Sequence, residues 1–171
     1  PLKEKGKTDG NGTKITFLPN NEIFSYKDGF NFDILAARLK ELAYLNKGLR
    51  ISFSDERNDK SEEFYSKNGI KGFVENINKN KEPLHEVIYI EKTQGDVNVE
   101  AALGYNKSYN ERVFSYANSI STTEHGTHYV GFGTALLRTI NNYIKKNNLD
   151  KFGVKSEDVK EGLSAVISVK V

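Results

Sequence analysis

Apolar residues in this chain recur in two rhythms, alternation and helical spacing, and the switches between them outline the elements. Thr13-Lys14-Ile15-Thr16-Phe17-Leu18 alternates polar with apolar, which predicts a half-buried strand ended by Pro19. The polar, glycine-bearing stretch 3–11 before it reads as a loop, and 20–31 after it as a connector. Phe32, Leu35, Ala36, Leu39, Leu42 and Ala43 then repeat at helical intervals. Asn31 or Asp33 can cap that helix, and Asn46-Lys47-Gly48 stops it. Leu49, Ile51 and Phe53 alternate with Arg50, Ser52 and Ser54, a strand. The polar run 55–60 turns into a second strand near Phe64-Tyr65.

A shorter helix is expected from Ile70 to Asn78, carrying Phe73, Val74 and Ile77, with Pro83 closing the segment. Val87 to Glu91 and Val97 to Tyr105 read as strands joined at Gln94-Gly95-Asp96, a hairpin turn sequence. Arg112 to Ala117 is a further strand. The last large helix runs from about His128 to Lys146, with Tyr129, Phe132, Leu136, Ile140 and Tyr143 on its apolar face. A short helix over Ser156 to Glu161 and a closing strand over Leu163 to Val171 complete the order. Hairpins mixed with a few helices predict an α+β fold, a largely antiparallel sheet with helices packed on one face.

Composition narrows the class. Of 171 residues, 37% are hydrophobic and 28% charged, a balance that suits a globular core and not a disordered chain. No apolar run approaches membrane-spanning length, and Pro1-Leu2-Lys3-Glu4-Lys5 does not open a secretory signal. The absence of Cys removes disulfides and thiolate metal sites. A net charge of +2 is too small to mark a nucleic-acid binder, so any such contact requires a local basic patch.

Catalytic chemistry is sparse. His85, His125 and His128 lack the acidic partners that would complete a metal site. No G-x-S-x-G elbow and no Walker loop occurs. Gly131-Phe132-Gly133 has two glycines of a dinucleotide fingerprint, but Leu136 stands where the third belongs; glycines that permit close packing at a helix start are the plainer reading. Asp55, Glu56, Glu62 and Glu63 flank a turn and read as solvated. The one mild exception is a polar stripe on the large helix, Thr134, Arg138, Asn141 and Lys145, suited to loose phosphate contacts. An ordinary wet helix face is the competing reading, and spacing alone favours it. These residues describe a binding or mechanical domain.

Longer strings carry a family resemblance. Gly12-Thr13-Lys14-Ile15-Thr16-Phe17-Leu18-Pro19 with Glu22-Ile23-Phe24 resembles the end of the ATPase domain in gyrase B subunits. The run from Leu35 to Leu49, LAARLKELAYLNKGL, resembles that family's opening transducer helix. Asn78-Lys79-Asn80-Lys81-Glu82-Pro83-Leu84-His85, Gly126-Thr127-His128-Tyr129-Val130-Gly131-Phe132 and the stretch from Glu161 to Val171, EGLSAVISVKV, are similar to three further family signatures, in the family's order.

The resemblance implies a type IIA topoisomerase, in which ATP binding closes two subunits around a DNA duplex. It implies a fold like the second domain of ribosomal protein S5, with residues 1–20 the tail of a GHKL-type ATPase domain and 21–171 the transducer. ATP and Mg2+ would serve the parent protein; its partners would be DNA, the gyrase A subunit and a second B subunit, in an A2B2 enzyme. The family's Gln-Thr-Lys loop, whose Lys reaches the ATP γ-phosphate, would follow Val171, so no catalytic, cofactor or metal residue is expected within the chain. Arg138, Asn141 and Lys145 become the DNA-facing candidates. Family members commonly carry Arg where this chain has Gly133, which excludes an ionic DNA contact there. A bacterial cytoplasm is the expected location, or an organelle for an organellar copy. The topoisomerase IV B subunit and a stand-alone RNA-binding module of S5-like fold are the alternatives.

Overall fold

A computed structural model describes the chain except for Pro1, Leu2, Lys5, Thr8, Asn21, residues 24–29 and residues 150–152. Helix α1 spans Phe32–Leu45. Asn31 stays extended, and its side-chain oxygen accepts the free N–H groups of Asp33 (2.9 Å) and Ile34 (3.2 Å), the expected cap. Asn46 closes the other end with its amide on the Leu42 carbonyl, and Gly48 (φ +85°) takes the chain out of helix. Strands β1 (Arg50–Asp55) and β2 (Lys60–Tyr65) form a separate antiparallel hairpin. Phe32, Ala36, Ala43 and Phe64, with Leu39, Ile51 and Phe53, glue α1 to that hairpin in a satellite core.

Helix α2 (Ile70–Ile77) leads into β3 (Ile88–Gln94) and β4 (Val97–Tyr105), whose two-residue turn has Gly95 at φ +60°. β5 (Arg112–Ala117) and β6 (Ile120–Ser121) precede α3 (Thr127–Lys146), α4 (Ser156–Lys160) and β7 (Leu163–Lys170). The five strands lie in the order β3-β4-β7-β5-β6; β5 and β7 are parallel and every other pair is antiparallel. This is the expected α+β class with a mixed sheet.

The layering differs in one respect. β7 is buried from Leu163 to Val169 and β4 from Ala101 to Gly104, so both faces of the sheet centre are covered. Ala102, Tyr116 and Val166 meet α2 and the end of α1 through Leu45, Ile70, Phe73 and Val74. Leu103, Leu163, Ala165 and Val113 point the opposite way and meet Phe132 and Leu136 of α3. Helices on one face therefore describes α1 and α2; α3 lies across the other side. A strand buried on every residue from Leu163 to Val169 demands that second cover.

The predicted strand over 13–18 is not formed. Residues 11–20 are irregular, with Ile15, Phe17 and Leu18 exposed. An alternating segment becomes a strand only against a pairing edge and a covering layer, and no described strand pairs with it. The connector expected over 20–31 lies mostly outside the described residues.

Candidate functional site

Helix α3 is the element that combines exposure, length and charge. Its 20 residues include no Asp or Glu, and none is fully buried. Lys145 and Lys146 occupy the last turn, where cations complement the helix dipole. Arg138 and Lys145 are exposed and make no hydrogen bond or ion pair with a described residue. Thr134 also faces outward, but its hydroxyl donates back to the Val130 carbonyl (2.9 Å).

Asn141 has a different role. Its side-chain N–H donates to the Leu137 (3.2 Å) and Val154 (2.9 Å) carbonyls, and its oxygen accepts the Val154 N–H (2.9 Å). The amide holds the α3–α4 connector. Of the three DNA-facing candidates that the resemblance implied, Arg138 and Lys145 share the open face and Asn141 faces inward.

The inner side of α3 seats lightly. Phe132 and Leu136 reach the sheet, whereas Tyr143 of the predicted apolar face stays exposed. A cavity of about 250 Å³ lies beneath the first half of the helix, among Val113, Phe132, Leu136, Val159 and Leu163. Gly133 borders this cavity, and a Cβ at Gly131 or Gly133 would meet nothing within 4 Å. Close packing is therefore not what these glycines provide. Lying inside a helix, they also cannot form a phosphate-cradling loop, because their N–H groups belong to the helical ladder.

A polar clamp ties the start of α3 to the sheet. The Tyr129 hydroxyl donates to Glu111 (3.0 Å), and Lys160 lies 3.4 Å from that hydroxyl and 3.5 Å from the Glu111 carboxylate. Burial opposes the Lys160 ammonium, but Tyr129 and Glu111 outweigh it and raise its pKa above the ordinary lysine range. His125, at φ +49°, stacks on Tyr129 with ring centres 4.2 Å apart.

The other histidines are structural. His85 accepts the Tyr105 N–H at Nε2 (3.2 Å), leaving Nδ1–H to donate to the Glu86 carbonyl (2.6 Å). His128 contacts the Thr122 hydroxyl (3.3 Å). Among the described residues no group of three His, Cys, Asp or Glu side chains is placed to hold a metal. The carboxylates around the β1–β2 turn are partly paired, Asp55 with Arg57 (2.6 Å) and Glu63 with Arg50. Hydrogen bonds from Arg57 hold the Asp55 carboxyl down at about 2.

Residue patterns missed one buried network. The Asn106 side-chain N–H donates to Asn78 (3.1 Å), to the Gly162 carbonyl (3.0 Å) and to Ser164 (3.2 Å), while Ser164 donates to Asn78 (2.8 Å). Gly162 has φ +72°, and a Cβ there would sit 2.4 Å from the Asn106 carbonyl oxygen. Two of the family-like strings, 78–85 and 161–171, thus meet at one knot; the glycine before an apolar strand was its visible signal.

The family model for DNA gyrase B matches residues 69–171, from α2 through the α3 site to β7. The chain belongs to the DNA gyrase B family. The DNA gyrase B protein of Halalkalibacterium halodurans is 49% identical over 99% of this chain, which spans 28% of that relative's length. The crystal structure of the 43K ATPase domain of Thermus thermophilus gyrase B, in complex with an aminocoumarin, superposes with a TM-score of 0.76 at 36% identity; the match covers 90% of this chain and 43% of that one. A topoisomerase IV ATP-binding domain from Francisella tularensis, bound to a small-molecule inhibitor, gives 0.72 at 29% identity, covering 90% and 41%. The chain thus corresponds to a part of a type II topoisomerase subunit. Among the described residues, no helix is long and apolar enough to cross a membrane.

Proposed function

We propose that this chain is the transducer part of a gyrase B protein, relaying ATP binding and hydrolysis to DNA strand passage and negative supercoiling. The observation that carries the reading is the acid-free, exposed helix α3, within the stretch that matches the family model. Arg138 and Lys145 project from it with no partner among the described residues, and such cations suit the phosphates of a duplex backbone.

Residues 1–20 are proposed to be the end of the ATPase domain, and 21–171 the transducer. Exposed Ile15 and Phe17 support this division, because apolar side chains in alternation fit a strand covered by another domain. ATP and Mg2+ would be held elsewhere in the full-length protein, whose partners would be DNA, the gyrase A subunit and a second copy of itself, in a bacterial cytoplasm. The corresponding protein of topoisomerase IV is the second reading, favoured by the likeness to the Francisella tularensis domain; the 49% identity to a gyrase B protein places it behind.

The test is Arg138→Ala in the full-length protein assembled with gyrase A. DNA-stimulated ATP hydrolysis should fall several-fold while DNA-independent hydrolysis holds. The slope of log affinity against log salt should shrink by about 1 for each lost phosphate contact. Equal loss of both hydrolysis rates would remove α3 from the DNA-facing role.

A further inference from the structure

Helix α1 and the end of the sheet are joined by a hydrogen-bonded latch. The Arg38 guanidinium donates to Glu41 on its own helix (2.6 Å) and to the Ser119 carbonyl (2.6 Å), 81 residues away. Ser119 sits in the two-residue β5–β6 turn. The same turn grips the end of β7: the Asn118 N–H donates to the Val169 carbonyl (2.8 Å), and the Val171 N–H donates to the Asn118 side-chain oxygen (3.0 Å). A path from α1 to the end of the central strand therefore runs through one turn.

Three features set this path apart from incidental surface bonding. First, α1 is built into the hairpin core, and its apolar reach to the five-stranded sheet comes at its C-terminal end through Tyr44 and Leu45. Arg38 and Glu41 supply a second, polar tie part-way along the helix. Second, Asn118 (φ +47°) and Ser119 (φ +64°) are consecutive non-glycine residues in the left-handed region. Asn tolerates that conformation, but Ser adopts it less readily, so the surroundings must hold it. Third, Tyr116, just before the turn and 1% exposed, packs in the main core with Leu45 and Phe73, so the strand that feeds the turn is anchored.

The geometry points to Arg38 and Asn118 as positioning residues that couple displacement of α1 to the end of β7, a role that deepens the transducer reading and rests on it. Neither residue is placed against nucleotide or DNA. A rotation of α1 with its hairpin pulls on the Ser119 carbonyl, and the turn passes that pull to Val169 and Val171 through two short hydrogen bonds.

The experiment compares four variants of the full-length protein with gyrase A, measuring ATP turnover and supercoils introduced in the same reaction. Arg38→Gln and Asn118→Gly should each lower the supercoils gained per ATP by about fivefold, a small coupling on the usual scale. Arg38→Lys should fall in between, and Ser119→Gly, which keeps the accepting carbonyl and suits the turn, should leave the ratio intact. Proportional loss of both activities, or an unchanged ratio in Arg38→Gln, overturns the proposal. If the unsubstituted protein does not couple ATP to supercoiling, the transducer reading itself fails. Amide hydrogen exchange on the full-length protein reports the latch separately. Arg38→Gln should speed exchange at Asn118 and Val171, and unchanged protection there would show that the latch does not exist.

Discussion

Gly162 places its α-carbon where a Cβ would collide with the Asn106 and Ser108 carbonyls, and its φ of +72° is one that L side chains rarely adopt. Gly162→Ala should destabilise the chain by about 3 kcal/mol, the sum of left-handed strain and overpacking; a urea melt within about 0.5 kcal/mol of the parent would refute the knot. Asn106→Ala removes one of two donors from both Asn78 and the Gly162 carbonyl, and the only donor to the Ser164 hydroxyl among the described residues; the same urea melt should show a loss of about 1 kcal/mol. Gly133 predicts the opposite sign. Open space surrounds its missing Cβ, so Gly133→Ala should stabilise by about 1 kcal/mol through helix propensity. Destabilisation in a thermal melt would mean that the cavity beneath α3 is filled. The two glycines look alike in the sequence; only their neighbours separate them.

Elements were legible where local chemistry and burial agree. α1 has its cap, its apolar stripe and its stop in one stretch, and β1 follows its alternation. The segment 13–18 shows the limit of periodicity, because alternation records a need for cover without naming what covers it. The apolar stripe of α3 was half informative: Phe132 and Leu136 dock, but Tyr143 lies beyond the sheet. Arg138 and Lys145 were readable as an open face, whereas Asn141, one turn away, was not, because its partner Val154 is placed by the connector. At the β1–β2 turn, Arg57 holds the Asp55 carboxyl at about 2, below the roughly 3.9 of an unfolded chain. Stability from this pair is present above about pH 4 and is lost as pH falls through 2. Arg57→Gln should move the Asp55 carboxyl midpoint, followed by NMR, back toward 4; an unmoved midpoint would exclude the pairing.

At the scale of the whole molecule, two cores meet along α1. One holds the hairpin to the helix; the other holds α2 and the end of α1 to the sheet, with α3 lightly seated on the far side. A continuous β7 running through the centre, tied at one end by the Asn106 knot and at the other by the Asn118 turn, can carry displacement along its length. That arrangement suits the relay proposed above. The most direct test of the relay is made on the full-length protein with gyrase A and relaxed plasmid. A relay of this kind predicts negative supercoiling that requires ATP. ATP turnover with no ATP-dependent change in plasmid topology would contradict it.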